Sequence, residues 1–119
     1  MIGFYVSSAK IRKKTIIFEN FTIFAEKYPI MAVLTMFYGI IISMYYFDNR
    51  QHHFPHIHVK CQGMEAVIRI PDGEIIEGEL PQGKNKLVQA WLEIHKDELM
   101  ADWELASNGT NIFQIEPLK

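Results

Sequence analysis

The chain has a single cysteine, Cys61, among its 119 residues. One cysteine cannot form an internal disulfide, and it cannot build a zinc site that needs two or four thiolates. We interpret Cys61 as a small, half-buried apolar residue on a strand. The lack of cysteine pairs fits a reducing compartment, so we expect a cytoplasmic protein.

An excess of one charge is also lacking. The chain carries 12 Lys and Arg residues against 14 Asp and Glu residues, which gives a net charge of −2 when the histidines are neutral. Such a balance provides no long-range attraction for nucleic acid. A protein that coats nucleic acid without sequence preference is therefore excluded, and a local contact with RNA is the alternative that remains. With 49% hydrophobic and 22% charged residues, the composition is that of one globular domain.

The N-terminus lacks the order of a secretory signal, in which a basic segment, an apolar segment and a cleavage site follow one another. One run, residues 29–47, has no charge and is about as long as a membrane-spanning helix. Gly39 in its centre and the β-branched residues 40–42 favour a loop followed by a buried β-strand instead. We therefore expect a soluble protein.

The pattern after this run predicts an antiparallel β-meander. Strands are predicted at residues 39–47, from 56 to 61, at 66–70 and at 74–79, with turn residues between them, such as Pro71, Asp72 and Gly73. A last short strand is predicted at residues 113–115. We expect residues 1–30 to form an N-terminal extension of strand and turn, packed on a single domain at residues 31–119.

The hydrophobic period then changes to that of a helix. Apolar residues recur at intervals of three and four from Leu87 to Ala106, which predicts one long amphipathic helix or two shorter ones that break near residues 95–97. Asp102 falls between the apolar positions and is expected on the outer face. Pro81 suits the first helical turn, and Asn108 with Gly109 suits the end. The predicted fold class is α+β, with the small meander packed against these C-terminal helices.

Four of the five histidines fall within seven residues: His52, His53, His56 and His58. His56 and His58 are two apart on a predicted strand, so their side chains leave the same face. Such a pair suits either two metal ligands or an acid and a base. The alternative is a structural pair that caps loop carbonyls and packs against Tyr45 or Trp91.

A divalent metal such as zinc would need further ligands beyond this pair. His53, Asp48 or His95 could supply them, and the metal site that we predict comprises His53, His56 and His58. His95 lies on the apolar helix stripe, where a buried structural histidine is the alternative. We expect Trp91 and Trp103 to anchor the core.

Residues 31–118 resemble the prokaryotic domain-of-unknown-function family 4160. The segments that carry the resemblance are FYGIII (37–42), MYY (44–46), HIHV (56–59), GEIIEGELP (73–81), LVQAW (87–91), HKDEL (95–99), Trp103 and FQIEPL (113–118). Members typically begin near the position of Met31. The loop at residues 47–55 is longer than usual, so no family role can be carried onto His52 or His53.

The resemblance implies a small protein of a two-gene module, since some members look like the toxin of a toxin–antitoxin pair. The residues that it marks as catalytic candidates are His56, His58 and His95. A small antitoxin-like protein encoded nearby is the expected partner, and a homo-oligomer is also open. The alternatives are a non-catalytic protein-binding or regulatory module with structural histidines, and a metal-binding domain.

Overall fold

The structure of the protein is a computed structural model in which residues 30–48 and 53–119 are described. Within these residues the chain forms five strands and one helix: β1 Met31–Phe37, β2 Ile40–Tyr45, β3 His56–Cys61, β4 Met64–Arg69, β5 Ile75–Gly78 and α1 Gln82–Ser107. Neighbours along the chain pair antiparallel in the order β1-β2-β3-β4-β5. The predicted α+β fold with an antiparallel meander is confirmed.

The first half of the uncharged run is a strand, so the loop predicted there is wrong. β1 and β2 form a hairpin through Tyr38 and Gly39, which have φ angles of 50° and 79°. Two successive positive φ angles are those of a tight hairpin turn, and a tyrosine at the first position hides the turn in the sequence. No helix in the described part of the chain is long and apolar enough to cross a membrane.

Residues 113–115 do not form the predicted last strand. The backbone N–H of Ile115 donates to the carbonyl oxygen of Leu34 over 3.0 Å, but no ladder follows. The segment is held by side chains instead, because the indole Nε1 of Trp91 donates to the carbonyl oxygen of Glu116 over 2.7 Å. The buried side chain of Ile115 completes this contact with the core.

The helix is a single element with a kink. His95 has φ −114° and ψ 18°, which are not helical values, so a break lies where the sequence predicted one. Pro81 was expected in the first turn but precedes it, with ψ 137°. Asn108 caps the last turn, and Gly109 follows with a φ of 74°, as predicted for the helix end.

The core lies between the sheet and the apolar stripe of α1. Trp91 and Trp103 are both buried, as predicted. Asp102 is also buried, at 2% exposure, so its expected place on the outer face is wrong. Its Oδ1 accepts a hydrogen bond of 3.0 Å from the backbone N–H of Phe113 in the C-terminal segment, a partner that helix periodicity cannot reveal.

All of these elements belong to one unit, Met31–Lys119. The predictions for the N-terminal extension and for His52 concern residues 1–29 and 49–52, which lie outside the described residues.

Candidate functional site

The turn that follows β2 brings an acidic residue over the start of β3. Phe47 has a φ of 58°, and its backbone N–H donates to the carbonyl oxygen of Ala106 near the end of α1, over 3.0 Å. Gly109 is needed beside it, because a Cβ atom there would lie 2.5 Å from the Phe47 ring. Phe47 is thereby fixed between sheet and helix, and Asp48 is the next residue.

One carboxylate oxygen of Asp48 joins the two histidines of the β3 motif. Its Oδ2 lies 2.8 Å from Nε2 of His56 and 2.6 Å from Nε2 of His58. The imidazole rings are 5.2 Å apart between centroids. The two side chains therefore share a face, as their spacing on a strand predicts. We call these three residues the Asp48 centre.

His56 is held by hydrogen bonds at both ring nitrogens. Its side chain is fully buried, and Nδ1 donates to the carbonyl oxygen of Phe54 over 2.9 Å, while Nε2 faces Asp48. An imidazole that faces an acceptor at each nitrogen satisfies both as an imidazolium. Its ring also packs against Trp103, with centroids 4.9 Å apart.

The pKa values of the buried pair move in opposite directions. Burial alone would lower the pKa of His56, but the hydrogen bonds to Asp48 and Phe54 and the negative charges of Asp48 and Glu77 together raise it above 6.5. Burial would raise the pKa of Asp48, but the hydrogen bonds and positive charges of His56 and His58 lower it to about 2. Both shifts favour the charged forms, an ionised Asp48 beside a protonated His56.

His58 is the member of the Asp48 centre that reaches solvent. Its side chain is 23% exposed, and its ring packs edge-on against Tyr45 at a centroid distance of 4.5 Å. It lines a shallow depression of about 120 Å³ on the sheet surface. The lining residues are His58, Glu65, Ala66, Val67, Glu77 and Gly78.

The other two described histidine candidates, His53 and His95, are not part of the Asp48 centre. His53 is exposed, and it is not part of the group of close ligand atoms that the described residues form. His95 packs against the ring of Trp91 at 5.3 Å, and its Nδ1 contacts Glu98. Of the three residues considered as a further ligand, Asp48 is the one that lies beside His56 and His58 among the described residues.

Most of the contacts of His56 and His58 were predicted from the sequence. Contact with Tyr45 and with a loop carbonyl was among the alternatives, and both occur. Trp91 packs against Phe37 and His95 instead, and Trp103 takes the place beside His56 that was expected for Trp91. Both tryptophans lie on one helix stripe, so the periodicity offered no signal to choose between them.

Comparison of the chain with known proteins identifies a family to which no activity is assigned. The family model described as a domain of unknown function (DUF4160) matches residues 39–104, more than half of the chain. The match includes Asp48, His56 and His58. No curated protein and no solved structure matches the chain. The family suspected from the motifs is confirmed, and the chain belongs to the DUF4160 family.

Proposed function

We propose that the protein is a small toxin-like enzyme of a two-gene toxin–antitoxin module, acting through the Asp48 centre. The observation that carries the enzymatic part is the single oxygen of Asp48 that binds the Nε2 atoms of both histidines. The toxin part is supported by the likeness of the sequence to members of the family that occur in such modules.

His58 is suited to act as the general base. Its Nε2 donates to Asp48, which fixes the tautomer and leaves Nδ1 with a lone pair in the neutral ring. The carboxylate also stabilises the imidazolium that forms when Nδ1 takes a proton. Partial exposure allows a reactant to approach this ring. His58 can therefore accept a proton from a hydroxyl group or water and return it to a leaving group.

His56 cannot play the same part, because its side chain is fully buried and both nitrogens are engaged. Its charge keeps Asp48 ionised, as the pKa of about 2 for that carboxyl shows. An ionised Asp48 is needed to hold the imidazolium form of His58. We assign His56 as the positioning residue and His58 as the catalytic one.

The depression beside His58 indicates the class of target. Glu65 and Glu77 line it, and both are exposed. Glu65 also pairs with Nζ of Lys60 over 3.7 Å, and carboxylates at the rim do not attract a phosphate group. This agrees with the net charge of −2 in disfavouring a long RNA as substrate.

A second candidate function is a protein-binding module without catalysis. In the described part of the chain β1 is an edge strand, bonded at Leu34 to Ile115, and apolar side chains near it are exposed, namely Met36 at 62% and Tyr38 at 56%. Edge strands offer unpaired backbone groups to a partner chain. The partner would be a small antitoxin-like protein encoded nearby, or a second copy of this chain.

Growth of a bacterial host after induced expression tests the proposal. We expect the native chain to arrest growth, His58→Gln to abolish the arrest, and His53→Gln and His95→Gln to retain it. Circular dichroism and matched protein levels verify that each variant is folded and present. Normal growth with the native chain would overturn the toxin-like function. Arrest by His58→Gln as well would overturn the catalytic role of His58.

A further inference from the structure

The Asp48 centre also has the composition of a metal site, and we propose that it binds one divalent transition-metal ion through Asp48, His56 and His58. The ligand atoms are one carboxylate oxygen and two imidazole nitrogens. When bound, the ion would replace His58 as the group that activates a hydroxyl group or water, because a His58 that binds metal through Nε2 carries its proton on Nδ1 and cannot act as the base. The catalytic role of the ion rests on the proposed enzymatic function, whereas the binding of the ion rests on the geometry alone.

The ligand atoms are close enough for one ion. One atom from each of the three residues lies within 4.8 Å of the other two. The two Nε2 atoms are now at hydrogen-bond distances of 2.8 and 2.6 Å from Oδ2 of Asp48. Bonds of roughly 2.1 Å to a shared ion would separate neighbouring ligand atoms by about 3 to 3.5 Å. The two Oδ2–Nε2 distances would lengthen by about half an ångström, and the two Nε2 atoms, now within 4.8 Å of each other, would settle at about 3 to 3.5 Å.

The buried ligand is already oriented as a metal-bound histidine is. Such a histidine almost always donates its second ring nitrogen to a backbone carbonyl or a carboxylate, which fixes the ring and its tautomer. Nδ1 of His56 donates to Phe54 in this way, and Trp103 packs against the same ring. Binding at Nε2 would leave both of these contacts intact.

Among the described residues, Arg69 is the strand partner of His56, and its guanidinium group binds Asp72 and Glu74. It does not compete for the carboxylate of Asp48, whose described counterparts are the two imidazoles. A metal ion would take the place of the protons on the two Nε2 atoms, so each imidazole would bind it through a deprotonated Nε2.

The ligand set selects the class of ion. Imidazole nitrogen suits zinc, iron, copper and nickel, whereas magnesium and calcium prefer oxygen ligands. Two histidines and one carboxylate leave coordination positions open for water or substrate, as in catalytic zinc and non-haem iron sites. The exposed side of His58 provides a path to those positions.

Titration of the purified full chain with metal alone tests the inference. After removal of bound metal with a chelator, we expect one Zn²⁺ or Co²⁺ per chain by calorimetry, and no binding of Mg²⁺. Zn²⁺ should raise the melting temperature, because an ion that binds the folded state stabilises it. Asp48→Asn and His58→Gln should each weaken binding by at least about a hundredfold, given that even outer-shell changes cost ten- to a hundredfold.

The controls are His53→Gln and His95→Gln, which should bind as the native chain does. Equal losses in these variants would assign the metal to scattered surface histidines and overturn the inference, as would the absence of stoichiometric binding. Growth assays separate the two proposals. Arrest without metal binding refutes the metal site alone, and metal binding without arrest refutes the toxin-like function alone.

Discussion

Asp48 and His56, eight residues apart in the chain, form an ion pair of 2.8 Å in which the histidine side chain is fully buried and the aspartate side chain is 24% exposed. The pair joins the turn after β2 to the first residue of β3. A buried charge is stable when a partner and further hydrogen bonds satisfy it, and His56 has both. The pair therefore holds the turn after β2 at the Asp48 centre.

Replacing Asp48 by asparagine should destabilise the metal-free protein strongly. The substitution removes the negative charge beside an imidazole that has no exposure to water, so the free energy of unfolding should fall by about 2 to 3 kcal/mol at pH 6. Urea unfolding measures this change. Asp72→Asn is the matched control, because Asp72 binds Arg69 in an exposed ion pair and its replacement should cost much less. Equal losses in the two variants would contradict the role assigned to Asp48.

The same pair predicts how stability depends on pH. The pKa of Asp48 is lowered to about 2, so its contribution is present above its unfolded value of 3.8 and is lost as the pH falls through about 2. That contribution is at most about 2 kcal/mol. The pKa of His56 is raised, so its contribution is complete below 6.5 and is lost as the pH rises through the higher folded value.

The pair should therefore stabilise the metal-free protein most between about pH 4 and 6.5. Urea unfolding of the native chain and of Asp48→Asn across this range gives a difference curve with a maximum there. A difference that does not vary with pH would show that Asp48 acts through packing rather than through charge.

The sequence sufficed for the meander and the long helix because both depend on hydrophobic period and turn residues. It failed at β1, where continuous apolar residues conceal the turn at Tyr38 and Gly39. Alternation and spacing describe neighbours within one element, so they predicted that His56 and His58 share a face. Alternation and spacing could not decide whether Asp48 or His95 lies beside this histidine pair.

That choice depends on tertiary packing. Asp48 is placed by the bond from Phe47 to Ala106, two residues that are far apart in the chain. His95 is kept elsewhere by the helix kink and by Trp91 and Glu98. Asp102 shows the same limit, since the partner that allows its burial lies in the C-terminal segment.

Asp102 should give the opposite pH dependence to Asp48. Burial and the charge of Glu98 raise its pKa, although the hydrogen bond from Phe113 opposes this. Its Oδ2 has no hydrogen-bond partner among the described residues. A carboxyl with a raised folded pKa binds its proton more readily in the folded state, so stability rises as the pH falls towards 3.8. Relative to Asp102→Asn, the native chain should gain stability between pH 7 and 4. A native curve that runs parallel to that of Asp102→Asn over this range would contradict the assignment.

Gly78, at the end of β5, should tolerate alanine far less than Gly63 does. The two glycines have nearly equal φ angles, 77° and 78°. An alanine at either position therefore has the same conformational cost of a positive φ angle. A Cβ atom at Gly78 would lie 2.0 Å from the carbonyl oxygen of Glu65, whereas one at Gly63 would have no atom within 4 Å.

The same oxygen of Glu65 accepts a hydrogen bond of 3.1 Å from the backbone N–H of Glu79, so β5 cannot move away without losing that bond. Gly78→Ala should therefore lower the free energy of unfolding by about 2 kcal/mol more than Gly63→Ala, as measured by urea unfolding. Gly78 also lines the depression beside His58, and a shift of β5 should displace Glu77 from its rim. If the two variants were equally stable, β5 would not be held at the close distance that shapes this depression.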